Sequence, residues 1–289
     1  MSALIMLQPR KFKKEVYSSL NYSFNVMAFV SDKVMCLLAF AWQVHPNYPL
    51  ILIGNRDEFY ARPAQAIDYW QDAPFILAGR DEQEGGTWLG VTKDGRWAAL
   101  TNYREPNAPK GSLSRGHLVS GFLKADSEPL AYAQQVFTQA EQYSGFNLLV
   151  GNKQQVAVVS NRGTEPQLLN QGIFGLSNQL LDSPWPKSQR LKAGLSQLMQ
   201  HDHFDLQQAL LLLQDQTQPD DADLPNTGVG LVWERLLATA FIKSPVYGTR
   251  ASSILLMSND NIQLTEQTWL NGEKGELKQL GFSINTFIL

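Results

Sequence analysis

The chain has 289 residues, 44% hydrophobic and 18% charged, with 24 basic against 27 acidic side chains and a net charge of −3. Soluble domains average about 25% charged residues. This surface is therefore light on charge, which excludes a strongly basic nucleic-acid face and a polyanionic solvating chain. The single cysteine, Cys36, excludes an intrachain disulfide framework.

Residues 1–34 carry five basic and two acidic side chains, a local charge of +3 that leaves −6 for the remainder. Their apolar stretch is broken by Ser18, Ser19, Asn21, Tyr22, Ser23 and Asn25, and no small-x-small cleavage site follows. This segment is read as a non-folding extension, or as translation assigned from a start codon too far upstream. No apolar run reaches the roughly 18 residues a membrane span requires. The expectation is a cytoplasmic protein of one domain, residues 35–289, with no transmembrane segment.

From residue 36 the pattern becomes that of strands. Apolar runs at 36–43 and 49–57 flank His45-Pro46-Asn47-Tyr48-Pro49 and predict a hairpin. Runs at 85–92 and 96–103 flank Asp94-Gly95 and predict a second hairpin. Helical spacing covers 115–125 and 129–143. A third hairpin is predicted from 146–152 and 155–161, and a short strand at 173–178. Two further helices are predicted at 185–200, with Pro186 near its start, and at 205–216. After the polar loop 217–228 come strands at 248–258 and 261–270, and a closing strand at the C-terminus. Strands, helix pairs and strands in this order do not alternate as parallel βαβ units do. They fit an α+β sandwich of antiparallel sheets with helices outside.

The chemistry-bearing motifs of many enzymes are absent. There is no P-loop, since 111–117 lacks the phosphate-binding lysine, and Gly228-Val229-Gly230 lacks the third glycine of a dinucleotide turn. No G-x-S-x-G elbow occurs. His201 and His203 flank Asp202 without partner cysteines, and they read as a solvated helix end rather than a metal site. The acidic runs 81–84 and 220–223 read as solvated loops, and the seven tryptophans as core or pocket lining. No cofactor or metal is expected from these patterns.

Two features remain. Polar residues close four apolar strands: Asn55-Arg56-Asp57-Glu58, Thr101-Asn102-Tyr103, Ser177-Asn178 and Thr249-Arg250. They read either as turn caps or as the rim of a pocket. The second feature is Met35 directly before Cys36. If translation starts at Met35 and that methionine is removed, Cys36 gains a free α-amine with a reference pKa of about 7.7–8.0, against about 8.5 for a thiol. Nucleophile and base then share one residue, the logic of N-terminal nucleophile catalysis. Such a site needs a carboxylate for the ammonium, a cation for the thiolate and donors for an oxyanion. Asp57 or Glu58, Arg56 and Arg250, and Asn102 and Asn178 offer these in turn. The alternative for Cys36 is a buried core cysteine acting as a small hydrophobe.

These residues resemble a known family. Met35-Cys36, Asn55-Arg56-Asp57-Glu58-Phe59-Tyr60-Ala61-Arg62-Pro63, Gly85-Gly86-Thr87-Trp88-Leu89-Gly90, Ala99–Tyr103 and Gly175-Leu176-Ser177-Asn178 closely resemble the NRDE, or transport and Golgi organisation protein 2, family. Ser183–Lys187 and Tyr247–Arg250 extend the match over 35–289. Members begin Met-Cys, and the family is similar to cysteine-type N-terminal nucleophile hydrolases such as bile-salt hydrolases. The resemblance implies a four-layer αββα sandwich with Cys36, Arg56, Asp57, Asn102, Asn178 and Arg250 as catalytic residues. Asp57 and Glu58 point to opposite faces of a strand, and either serves as the carboxylate. The resemblance does not give the activity; the Cys36 argument gives the first reading, amide hydrolysis or acyl transfer on a small-molecule amide or thioester. The other reading is a haem or acyl-lipid binding and trafficking protein without turnover, with haem as a ligand of the protein and Cys36 either its thiolate ligand or an inherited remnant.

Overall fold

The computed structural model describes residues 35–163 and 165–284. The expected extension at 1–34 and the end of the expected closing strand lie outside the described residues. Strands β1 (Met35–Trp42), β2 (Leu50–Phe59), β10 (Gly172–Leu176), β11 (Tyr247–Met257), β12 (Asn261–Leu270) and β13 (Glu273–Ser283) form one sheet in the order β10-β1-β2-β11-β12-β13. The second sheet runs β3 (Ala64–Trp70), β4 (Ala73–Asp81), β5 (Leu89–Thr92), β6 (Trp97–Asn102), β7 (Phe146–Gly151), β8 (Val156–Ser160), β9 (Gln167–Leu168). Neighbouring strands in both sheets pair antiparallel.

Why β1 reads as a continuous apolar run follows from its position. Every residue of β1 is buried, because the sheet is covered on both faces. Leu38, Phe40 and Trp42 enter the core between the sheets, with Leu52, Leu77, Trp97 and Leu149. Leu37, Ala39 and Ala41 face the other way, under helices α3 (Pro186–Leu198) and α4 (Leu206–Leu212), with Leu191, Leu195 and Leu210. Helices α1 (Gly116–Lys124) and α2 (Pro129–Thr138) cover the far face of the second sheet through Leu118, Phe122 and Val136. The result is the four-layer αββα sandwich. A short helix, α5 (Leu231–Leu236), packs against the head of β1.

Several element boundaries differ from the sequence expectation, each for a local reason. The run 85–92 becomes a strand only at Leu89. Gly86 presses on the backbone of Gly116, where an added Cβ would come within 2.5 Å of the carbonyl carbon, so this stretch turns instead of pairing. The β3–β4 hairpin went unpredicted because β3 is a half-exposed edge strand with broken register. The helix expected over 129–143 stops at Thr138 and gives way to a 3₁₀ turn, Ala140–Gln142. The closing strand starts earlier, at Glu273, and its largely exposed edge carries no apolar run. Gly95 adopts φ +90° in the Asp94-Gly95 turn, a conformation glycine reaches without cost.

Candidate active site

Antiparallel pairing sets the site. Cys36 lies opposite Arg56, and Met35 opposite Asp57. Side chains two apart share a face, so Cys36 and Arg56 belong to the side of Leu38, toward the second sheet, while Met35 and Asp57 turn to the helix side. The pairing of β1 with β10 begins at Leu38 and Leu176, which leaves the next residues, Ser177 and Asn178, beside the head of β1. Ser177 Oγ donates to the Cys36 carbonyl at 3.2 Å. Asn178 Nδ2 donates to the Asn102 carbonyl at 3.0 Å, joining the end of β6 to the same place. Cys36 is 2% exposed, and Asp57 and Asn178 are fully buried.

The two candidate carboxylates have different surroundings. Asp57 Oδ1 accepts from Thr249 Oγ1 at 2.7 Å, while Oδ2 is buried with no hydrogen-bond partner. Burial pushes the Asp57 carboxyl up to about 6, opposed chiefly by the nearby Lys187 charge and the Thr249 bond. Glu58 instead accepts from the Phe59 N–H at 2.7 Å and lies 3.6 Å from Arg56 and 3.7 Å from Arg62. Its carboxyl is also raised by burial. Asp81 completes this network, 2.6 Å from Arg62 and 3.3 Å from Arg56. The expectation that the run 81–84 is a solvated loop is therefore corrected at Asp81: two guanidinium groups pull it against the end of β2.

Burial dominates the thiol as well. The Cys36 thiol is pushed up to about 12, first by desolvation and then by the Asp57 charge, with Arg56 acting against both. While Cys36 is peptide-bonded to Met35, the thiolate that nucleophilic attack requires is disfavoured at neutral pH.

Arg250 is placed differently from the sequence expectation of a cation beside the thiol. The β11 register slips against β2 between Thr249 and Ala251, and Arg250 is the extra residue. Its Nη1 donates to the carbonyls of Phe59, Tyr60 and Arg62 at 3.0–3.1 Å. It props the turn that follows β2, and Arg56 is the guanidinium opposite Cys36.

Four residues here were not assigned roles from sequence. Lys187, 2% exposed, donates from Nζ to the Leu237 carbonyl at 2.9 Å. Burial and the Arg104 charge pull its ammonium down to about 7, with Asp57 and Cys36 acting the other way. The signal was available: Lys187 shares the buried stripe of α3 with Leu191 and Leu195, a place for apolar residues. Arg104 and Glu234 form a buried ion pair at 2.7 Å, and Arg104 lies 4.6 Å above the Trp185 ring. Arg104 Nε and Nη2 are buried without hydrogen-bond partners. Tyr247, fully buried, accepts from the Met35 backbone N–H at 3.0 Å through its hydroxyl oxygen.

Met35 is itself part of this architecture. Its side chain is 1% exposed in a cluster with Leu237, Ile242 and Tyr247, flanked by Phe59, Trp233 and Leu236. Among the described residues, no group of three or more His, Cys, Asp or Glu side chains is placed to hold a metal ion. No described helix is long and apolar enough to cross a membrane.

The class the structure defines is a four-layer αββα sandwich of two antiparallel sheets that presents Cys36 at the head of an inner strand, opposite Arg56. The particular lineage follows from residues 35–271, which match the Transport and Golgi organisation 2 family. The chain belongs to that family. It is 35% identical over 263 residues to the Transport and Golgi organization protein 2 homolog of Bos taurus, covering 83% of this chain and 95% of that protein. With the Homo sapiens homolog it shares 34% identity over 259 residues, 82% of this chain and 94% of that one. Among solved structures it is similar to a mutant of the conjugated bile acid hydrolase from Clostridium perfringens. That similarity has a TM-score of 0.43 and 9% identity, over 87% of this chain and 99% of the other. The Caenorhabditis elegans N-acylethanolamine-hydrolyzing acid amidase ortholog gives 0.38 and 14%, over 76% and 92%.

Proposed function

We propose that this protein is a cysteine N-terminal nucleophile enzyme, acting by amide hydrolysis or acyl transfer on a small-molecule amide or thioester, and armed when the Met35–Cys36 bond is absent. The observation that carries this reading is Asp57 Oδ2, a buried carboxylate oxygen without a partner at the head of β1. An orphaned buried acceptor costs about 1–3 kcal/mol, and more when charged. A free α-ammonium on Cys36 is the donor that completes it. The same ammonium lowers the thiol by its charge, so one cleavage supplies the partner and activates the nucleophile.

In the processed chain the α-amine takes the thiol proton, and Sγ attacks the substrate carbonyl. Amide donors from Asn102 and Asn178 stabilise the oxyanion. The Cys36 ammonium protonates the leaving amine or thiol as the C–N or C–S bond breaks. Water, activated by the freed amine, then releases the acyl group and regenerates the thiol.

The test is the intact mass of the natural protein, followed by turnover of a panel of small amides and thioesters. A mass beginning at Cys36, with turnover lost in Cys36→Ala and partly kept in Cys36→Ser, supports the reading. A natural protein that retains residue 35 on every molecule, or turnover unchanged by Cys36→Ala, refutes it.

A further inference from the structure

The cluster around Met35 has a second consequence. Its wall comes from four places: Phe59 at the end of β2, Trp233 and Leu236 on α5 with Leu237 just beyond, Ile242, and Tyr247 at the start of β11. These groups pack on Met35, which is 1% exposed, and on each other, with Phe59 and Tyr247 edge to face at 5.1 Å. The wall is anchored independently of its occupant. Leu237 is held through its carbonyl by Lys187, and Ile242 donates its N–H to Thr249 Oγ1 at 2.9 Å. Removing Met35 therefore empties a site whose walls have their own supports, and deleting buried side-chain volume leaves a cavity when the surroundings relax only in part.

We infer that the space occupied by Met35 is the acyl subsite of the processed protein, and that it takes an unbranched apolar acyl group of about hexanoyl length. The inference rests on the nucleophile reading above. The length follows from covalent structure. Met35 is joined to Cys36 through its own carbonyl, and the chain of carbonyl carbon, Cα, Cβ, Cγ, Sδ and Cε is matched atom for atom by a hexanoyl group. Cys36 N and Sγ hang from one Cα–Cβ unit at the new end of β1. A carbonyl in attack position, about 3–3.5 Å from Sγ, lies close to where the Met35 carbonyl was bonded. The walls named above are apolar and aromatic, and the carboxylate opposite Met35, Asp57, is taken by the α-ammonium of the processed protein, so a charged or strongly polar acyl chain is excluded by its desolvation cost. The polar atom reaching the occupant is the Tyr247 hydroxyl, which takes the N–H on the carbon next to the Met35 carbonyl.

In the covalent step, the Cys36 thiol and a hexanoyl thioester exchange partners. The S–C bond to Cys36 forms, the donor's C–S bond breaks, and the thiol proton passes through the α-amine to the departing thiol. No oxidant or reductant is needed.

The experiment compares two forms of the protein, one beginning at Met35 and one beginning at Cys36. Both sheets and all four apolar clusters lie within 35–284, so each form carries both sheets and their cores. Cys36 acylation is followed by intact mass with acetyl, butanoyl, hexanoyl, octanoyl and dodecanoyl thioesters of N-acetylcysteamine. At about 0.8 kcal/mol per buried methylene, hexanoyl should react on the order of a hundredfold faster than acetyl. The rate should fall again at dodecanoyl. Ile242→Ala, which removes volume from the wall and enlarges the cavity, should move the optimum to a larger acyl group.

A second measurement needs neither chemistry nor that variant. Hexanamide should raise the melting temperature of the Cys36→Ala protein that begins at residue 36, and leave unchanged the same protein with Met35 in place. Equal acylation rates from acetyl to dodecanoyl, with no hexanamide effect, overturn the subsite and leave the nucleophile standing. Stabilisation by hexanamide with no acylation by any donor keeps the subsite and overturns the nucleophile. Absence of both effects overturns the two together.

Discussion

Asp57→Asn offers a direct reading of the conflict at the head of β1. In the chain that retains Met35, Asp57 is fully buried and its carboxyl is pushed up from 3.8 to about 6. A raised folded-state pKa means the folded protein binds the proton more tightly than the unfolded chain. The resulting stabilisation is fully present below about pH 4 and is lost as pH rises through 6. At about 1.4 kcal/mol per unit, the loss is about 3 kcal/mol. Asparagine keeps the carbonyl that accepts from Thr249 and does not titrate. The stability of the unsubstituted protein, relative to Asp57→Asn, should therefore rise by about 3 kcal/mol as pH falls from 7 to 4. Urea unfolding followed by tryptophan fluorescence at each pH measures the difference; contributions from distant groups cancel within it, while Lys187, which loses its partner in Asp57→Asn, adds to the rise. In the form beginning at Cys36, the ammonium stabilises the Asp57 carboxylate, so the pH dependence should shrink or reverse. A difference that stays flat from pH 4 to 7 in the Met35-bearing protein would refute the account of Asp57. The same slope in both forms would refute the pairing of Asp57 with the α-ammonium.

Other expectations follow from the same geometry. With its thiol near 12 and 2% exposed, Cys36 should resist iodoacetamide at pH 7.5 in the Met35-bearing protein, react once unfolded, and react in the native form that begins at Cys36; rapid native labelling with Met35 present would contradict the burial argument. Arg104→Met strands Glu234 in the interior and should cost about 3–5 kcal/mol, a melting temperature lower by roughly 10 °C in a chain this size. The double substitution Arg104→Met/Glu234→Leu should recover much of that, and no recovery would mean the pair is not the source. Gly86→Ala puts a Cβ within 2.5–2.9 Å of the Gly116 backbone, where no flexible side chain gives way. A loss of about 1–3 kcal/mol is expected by chemical denaturation, and an unchanged midpoint would show that the Gly86 turn yields.

The sequence made the head of β1 legible because several local signals agree there. The apolar runs of β1 and β2, the intervening turn residues and the polar ends of the strands all require the same antiparallel pairing, which places Cys36 opposite Arg56. What escaped depends on tertiary register. Arg250 looked like a thiol cation, but a bulge of one residue in β11 turns it onto the carbonyls after β2, and nothing in the local string marks a bulge. Lys187 reaches the site because α3 lies across β1, a contact separated by about 150 residues of chain. The edge strand β3 is short and half-exposed and β13 is mostly polar and exposed, so neither shows the alternation that reveals a half-buried strand. Asp81 belongs to an acidic string that resembles any solvated loop until Arg62 and Arg56 are folded against it.

The charges at this strand head are set against one another in a way that Met35 leaves incomplete. Burial raises the Cys36 thiol and the Asp57 carboxyl and lowers the Lys187 ammonium, so each of the three is held away from its charged form. Folded proteins tolerate such costs mainly at sites whose function requires them. One added positive charge on Cys36 N would act on all three together. It would favour the Asp57 carboxylate and the Cys36 thiolate, and it would press Lys187 further toward the neutral amine. On the proposed reading the buried groups would then divide the work: Asp57 would hold the ammonium, Cys36 would attack, and Lys187, its ammonium pulled down by burial, would compete for Asp57 less than a permanent cation. Lys187→Arg, fixed in its charge, should therefore weaken the hold of Asp57 on the α-ammonium and lower the amine's pKa. That shift is measurable in the pH profile of Cys36 acylation, and an unmoved profile would assign Lys187 to packing alone.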